Sequence, residues 1–424
     1  MRTFRTLSLV FAATALCPIA DAGWKLKQGK TQLQSMPQGG ASEDFHSSYA
    51  PVVSGDGKQI LFMSSVGPLT GHQDYPTAQI LWKNRETGQI SIVSTTKSGL
   101  PSTGQVSGPR ISADGVYAVF SSLATDLVDG ITIADVAGHY DVFRVHLPTG
   151  TIVRVSITHD FKEPNNSCSQ ADISADGRYV VFQTIASNML PTAVASEKQL
   201  YRKDMHTGTL ELVSQSTGGA SGDGNSHLAR ITADGQQIAF YSFADNFGVT
   251  TNFGTECWVR DMQAGTTELV SMSKHGGPSQ EGATHAVISG DGRYVAFSSG
   301  SDDMPGGAGK DGLSLYVRDR KKGKTVRVPI NTKTSFTVQA NGFSASRYVV
   351  FKRSTPTKIR SYIYDAKKKA VHAVDLSSKG KKGDDSTWEP SISANGKVVV
   401  FQSRATNFGA DDDDFIDVFV RRWK

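Results

Sequence analysis

One short stretch recurs through the chain and restricts what it can become. Its clearest copy reads Ile173-Ser174-Ala175-Asp176-Gly177-Arg178-Tyr179-Val180-Val181-Phe182. This is the end of a strand, a tight turn and a second strand. Asp bonds to its own backbone in the turn, and Gly takes the positive φ that closes the hairpin. Related copies begin at Val53, Ile111, Ile231 and Ile288, and two degraded copies begin at Phe343 and Ile392. Each leads into an apolar run that ends in Phe62, Phe120, Phe182, Phe240, Phe297, Phe351 or Phe401. Their period of roughly 50–60 residues is that of a four-stranded propeller blade.

Between copies, a third strand is legible in segments such as Asp141-Val142-Phe143-Arg144 and Leu315-Tyr316-Val317-Arg318. A Thr-Gly or Lys-Gly turn and a short β-branched fourth strand follow, alternating apolar and polar as half-buried strands do. The last copy has only three strands, whereas Lys30-Thr31-Gln32-Leu33-Gln34-Ser35-Met36 resembles a fourth strand standing alone before the first copy. The expected architecture is therefore all-β. It is a seven-bladed β-propeller of four-stranded blades, closed by an N-terminal strand that completes the C-terminal blade and so removes two open sheet edges. Blade six is the shortest and least regular.

The Ser-x-Asp-Gly turn, the Phe after it and the turn following the third strand resemble the TolB-like, PD40 (WD40-like) propeller repeat family. The resemblance runs from Lys30 to the C-terminus. It implies the fold and little of function. TolB carries a separate α/β domain before six blades, which has no counterpart here, so TolB's role in its envelope complex does not transfer.

Residues 1–22 read as a secretory signal: Arg2 and Arg5, an apolar stretch from Leu7 to Ala20, and a small-residue cleavage site at Ala20-Asp21-Ala22. Residues 23–424 are expected to form one propeller domain, periplasmic or secreted, with no transmembrane segment and monomeric. The net charge of +5 is mild and does not argue for nucleic acid. Export permits a disulfide between Cys168 and Cys257; the alternative is two separate buried thiols.

Antiparallel strands place all the short turns on one side of the ring. The other side collects the long, irregular segments 64–78, 121–139, 184–198, 242–256, 298–313 and 402–415, and loops on a rigid scaffold are where binding concentrates. The innermost strands bring Tyr49, His227 and Trp388 to one level of the channel mouth and His285 and Glu389 to the next. Tyr49 and Trp388 offer aromatic faces to a sugar or peptide side chain, or plug the channel. Arg110, Asp172 and Arg230 lie deeper on consecutive blades, as an inter-blade charge network or as a seat for a carboxylate or sulfate. His227 and His285 on neighbouring blades, with Glu389 as a third ligand, would suit a divalent metal, but no metal-motif spacing supports it and hydrogen-bonded histidines are the expected reading. No cofactor is expected, although the run Asp411, Asp412, Asp413 and Asp414 offers oxygen ligands for calcium or a solvated acidic loop.

No Gly-x-Ser-x-Gly elbow, nucleotide-binding glycine loop or cysteine cluster occurs. The expected function is a binding or scaffold module that takes an envelope or extracellular protein, peptide or glycan on the long-loop face. The alternative is a carbohydrate-active enzyme, a polysaccharide lyase or hydrolase, working at the channel mouth.

Overall fold

The computed structural model describes residues 29–35, 47–65, 67–71, 77–128, 138–192, 194, 197–249, 254–307, 312–330, 337–409 and 415–422. The expected signal segment and the four-aspartate run lie outside them. The described strands form seven four-stranded antiparallel sheets. Six use consecutive strands. The seventh is built from Thr387–Ile392, Val398–Ser403 and Asp417–Arg422, with Thr31–Leu33 added at its outer edge. Thr31 faces Arg421 and Leu33 faces Phe419 in that closing pair. Arg421 is buried, and its guanidinium bonds the Thr31 hydroxyl (2.9 Å) and the Ser377 carbonyl (3.1 Å), so the closing strand is pinned to the edge of blade six as well.

Each marker phenylalanine is fully buried. In five blades it stacks on an aromatic of the third strand, as in Phe182 on Tyr201 (6.2 Å between centroids) and Phe297 on Tyr316 (5.8 Å). These rings fill the space between neighbouring sheets, which is where a propeller keeps its core. Cys168 and Cys257 are separate buried thiols, and burial pushes the Cys168 thiol up to about 12.

The repeated turn also does work that its local chemistry does not reveal. Ser174 Oγ donates to Asp176 Oδ1 (2.7 Å) and accepts from the Tyr179 amide (2.9 Å), which fixes the hairpin. Backbone hydrogen bonds then pass from turn to turn: Gly55 to Ala113, Asp114 to Ala175, Ala175 to Ala233, Ala233 to Gly290, Asp291 to Ala345, Ala345 to Ala394, and Asn395 back to Gly55, at 2.7–3.2 Å. The motif turns thus form a closed belt around the axis. A Cβ on Gly55 would lie 2.7 Å from the Ala113 carbonyl and 3.1 Å from Ala394 Cβ, so the second motif position must be small.

Candidate functional site

Six of the seven innermost strands carry the same irregularity; the blade-six strand slips instead between Ala340 and Gly342. In the six, pairing with the second strand slips between Tyr49 and Val52, Ser107 and Arg110, Ser169 and Asp172, His227 and Arg230, Thr284 and Val287, and Trp388 and Ser391. At the slip the backbone turns left-handed: φ is 53° at Ala50, 60° at Gly108, 56° at Gln170, 51° at Leu228, 57° at His285 and 45° at Glu389. Such angles strain a side-chain-bearing residue by about 1–3 kcal/mol. A β-bulge re-aims the residues that follow it, and here it turns Arg110, Asp172 and Arg230 into the channel.

The result is a cavity of about 380 Å³ lined by all seven innermost strands. Arg110, Asp172, Arg230, His285 and Glu389 line it. Tyr49, His227 and Trp388 precede the slip on their strands and do not line the cavity. Asp172 ties three blades together: one oxygen lies 3.9 Å from Arg110 Nε of blade two, and the other accepts from the Ile231 amide of blade four (3.1 Å). Arg110 and Arg230 each donate to the carbonyl of the preceding residue, at 2.8 and 3.0 Å. Among the described residues their other donors have no hydrogen-bond partner. Burial lowers the Arg230 pKa to about 10, the like charge of Arg110 adds to this, and Asp172 and Glu389 act against it. Arg230 stays charged at neutral pH.

Glu389 is already engaged. Lys352 Nζ lies 2.7 Å from one oxygen and Asn341 Nδ2 donates to the other at 3.2 Å. The Asn341 carbonyl oxygen is buried without a donor. Desolvation, then the charges of Lys352 and Arg230, lower the His285 pKa. His227 is lowered to about 4 by burial and Lys198.

The two histidines are separated by a ring from a second strand. The Tyr241 ring stacks on His227 (5.2 Å) and approaches His285 (6.0 Å), so it stands between the two imidazoles. Among the described residues no three acidic, histidine or cysteine side chains gather as a metal site. Tyr49 packs half-buried against the core between blades one and two, and no ring contact joins it to Trp388 among the described residues.

Sequence reasoning missed Gln183, Tyr241, Lys352 and Gln402. Each follows a marker phenylalanine on the second strand. There it reaches the next blade's bulge: Gln402 Oε1 accepts from the Ala50 amide (2.7 Å), and Lys352 holds Glu389. The signal was available as a recurrent non-apolar residue at the end of an otherwise apolar run.

No family model and no curated protein matches the chain. Solved structures do. The β-propeller domain of the trilobed protease from Pyrococcus furiosus, described as having an open velcro topology, is 12% identical over 90% of this chain and 96% of its own, with a TM-score of 0.57. Oligogalacturonate lyase from Vibrio parahaemolyticus is 13% identical over 93% and 97%, with a TM-score of 0.54. TolB from Acinetobacter baumannii is 14% identical over 82% and 76%, with a TM-score of 0.41. At these identities the first two establish the propeller fold, and the third carries no argument. Among the described residues no helix is long and apolar enough to cross a membrane.

Proposed function

We propose that this chain is an exported binding module that takes an anionic group of a peptide, protein or glycan through the long-loop face into its central channel. The observation that carries the reading is the pair Arg110 and Arg230. Two guanidiniums face a cavity with most donors unspent, and the Asp172 carboxylate lies 3.9 Å from Arg110. A planar carboxylate can meet them two bonds at a time. Asn341 adds a buried acceptor that a ligand hydroxyl or amide would satisfy. The mouth side chains Tyr49, His227 and Trp388 would contact the part of the ligand that remains outside, with His285 and Glu389 beneath them.

The test is capture of the full chain on arrays of acidic and neutral glycans and of peptides, repeated with the R110M/R230M double variant. Capture of carboxylate-bearing ligands that the double variant loses, with its melting temperature retained, is the expected result. Equal capture by both proteins would remove the channel from the account. The enzymatic alternative requires turnover of a captured polysaccharide that His227→Ala abolishes.

A further inference from the structure

A second site lies on the opposite, short-turn face, at an inter-blade joint that lacks the seal two other joints carry. Between blades two and three, and between blades three and four, the joint is made of three parts. The tyrosine that opens the second strand of one blade packs under the turn glycine of the next, as Tyr117 does beneath Gly177 and Tyr179 beneath Gly235. An arginine from the third strand then lies over that tyrosine and bonds the glycine carbonyl: Arg144 at 2.7 Å and Arg202 at 2.6 Å. Between blades five and six two of the parts are absent. Val317 occupies the arginine's place on its strand, and the blade-six turn Ser344-Ala345-Ser346-Arg347-Tyr348 is one residue shorter and has no glycine. Tyr294 remains, with Arg293 over its ring (4.8 Å) and Phe343 stacked on it (6.4 Å), but without the third-strand arginine.

The space left is a cleft of about 740 Å³, against about 320 Å³ at the corresponding outer surface of blade two, where Arg144 fills the joint. Its floor is apolar, with Tyr294, Val317, Val326 and Ala366. Its rim carries Lys322, Lys324, Lys367 and Lys369, with Asp291, whose carboxylate accepts from the Ser289 hydroxyl and the Arg293 amide. The two arginines nearby are already held, Arg293 by Asp319 (2.7 Å) and Arg347 by Asp365 (2.5 Å). Among the described residues none of the four lysine ammonium groups has a carboxylate partner.

We propose that this cleft binds an extended acidic segment of a partner polypeptide, with apolar side chains on the floor and carboxylates along the lysine rim. Lysines of one sign around a concavity concentrate the field and favour an anionic chain. The concave apolar floor favours a polypeptide over a flat lipid surface, which would meet the lysines and leave the floor empty. The cleft faces away from the channel mouth, so its test is independent of the channel reading.

The experiment is fluorescence anisotropy of a labelled peptide of alternating glutamate and valine, titrated with the full chain at low salt. The decisive variant is Val317→Arg, which refills the joint while adding positive charge. The expected result is binding to the native chain, and at least about tenfold weaker binding both to Val317→Arg and to a triple variant with Lys322, Lys324 and Lys367 changed to Ala. Unchanged or tighter binding by Val317→Arg would mean that diffuse surface charge holds the peptide, and would overturn the proposal. So would failure of the native chain to bind, or displacement of the peptide by anionic vesicles from the native chain and Val317→Arg alike.

Discussion

The joint between blades three and four and the joint between blades five and six occupy equivalent places in the ring, yet one is sealed and the other open. In the first, Arg202 lies 4.4 Å from the centroid of the Tyr179 ring, bonds the Gly235 carbonyl and is clamped by Glu211. In the second, a valine and a shortened turn leave Tyr294 facing a cleft. The belt of turn-to-turn hydrogen bonds continues through both. The comparison shows that the belt and the phenylalanine core suffice to hold a blade in place, whereas the arginine bridge is a seal that can be omitted. A repeat protein can open a surface where its repeat decays without losing the ring.

Perturbing the sealed joint should have the largest effect. Gly235→Ala places a Cβ against the Tyr179 ring at a backbone φ of 72°, and should cost about 3 kcal/mol or more in denaturant unfolding. Arg202→Ala should cost about 2–3 kcal/mol, because Glu211 and the Gly235 carbonyl both lose a charged donor. At the open joint, Val317 is buried beside Tyr294 and Val328, so Val317→Arg should cost about 1–2 kcal/mol, less than either change at the sealed joint. A loss as large as that of Gly235→Ala would mean that an arginine cannot be seated there without the turn glycine.

A buried carboxyl sharpens the comparison in another way. Glu256 accepts from Ser271 and from the amide and hydroxyl of Ser279, at the strand position where Gln79 and Gln199 stand in other blades. Burial raises its pKa to about 7, the serine hydrogen bonds oppose the shift, and Asp303 adds to it. The folded state therefore holds this proton more tightly than the unfolded chain. The stability it contributes is complete below about pH 4.5 and is lost as pH rises through about 7. Glu256→Gln should remove that dependence and raise the melting temperature at pH 8. An unchanged slope between pH 5 and 8 would show that Glu256 does not carry it.

Much of this was legible in the sequence. Turn chemistry and the marker phenylalanines specify seven blades, and an unpartnered strand at Thr31–Leu33 beside a three-stranded final copy specifies the closure. The bulges were not legible. Ala50, Leu228 and Glu389 have no intrinsic preference for a left-handed backbone, and only Gly108 signals one. Their conformation is imposed by pairing across the sheet and by the neighbouring blade. Nor could spacing show that Tyr241 separates His227 from His285, or that Lys352 claims Glu389, because those partners come from second strands. The irregularity of blade six was visible, but its meaning depended on Val317 in blade five.

The most direct test of the channel account is calorimetric titration of the full chain with a captured acidic ligand and with its carboxyl methyl ester. Arg110 and Arg230 predict that the ester binds at least about tenfold more weakly, a charge-assisted hydrogen bond being worth roughly 1.5–3 kcal/mol. They also predict that the difference vanishes in the R110M/R230M variant. An ester that binds the native chain as tightly as the free acid would contradict the account.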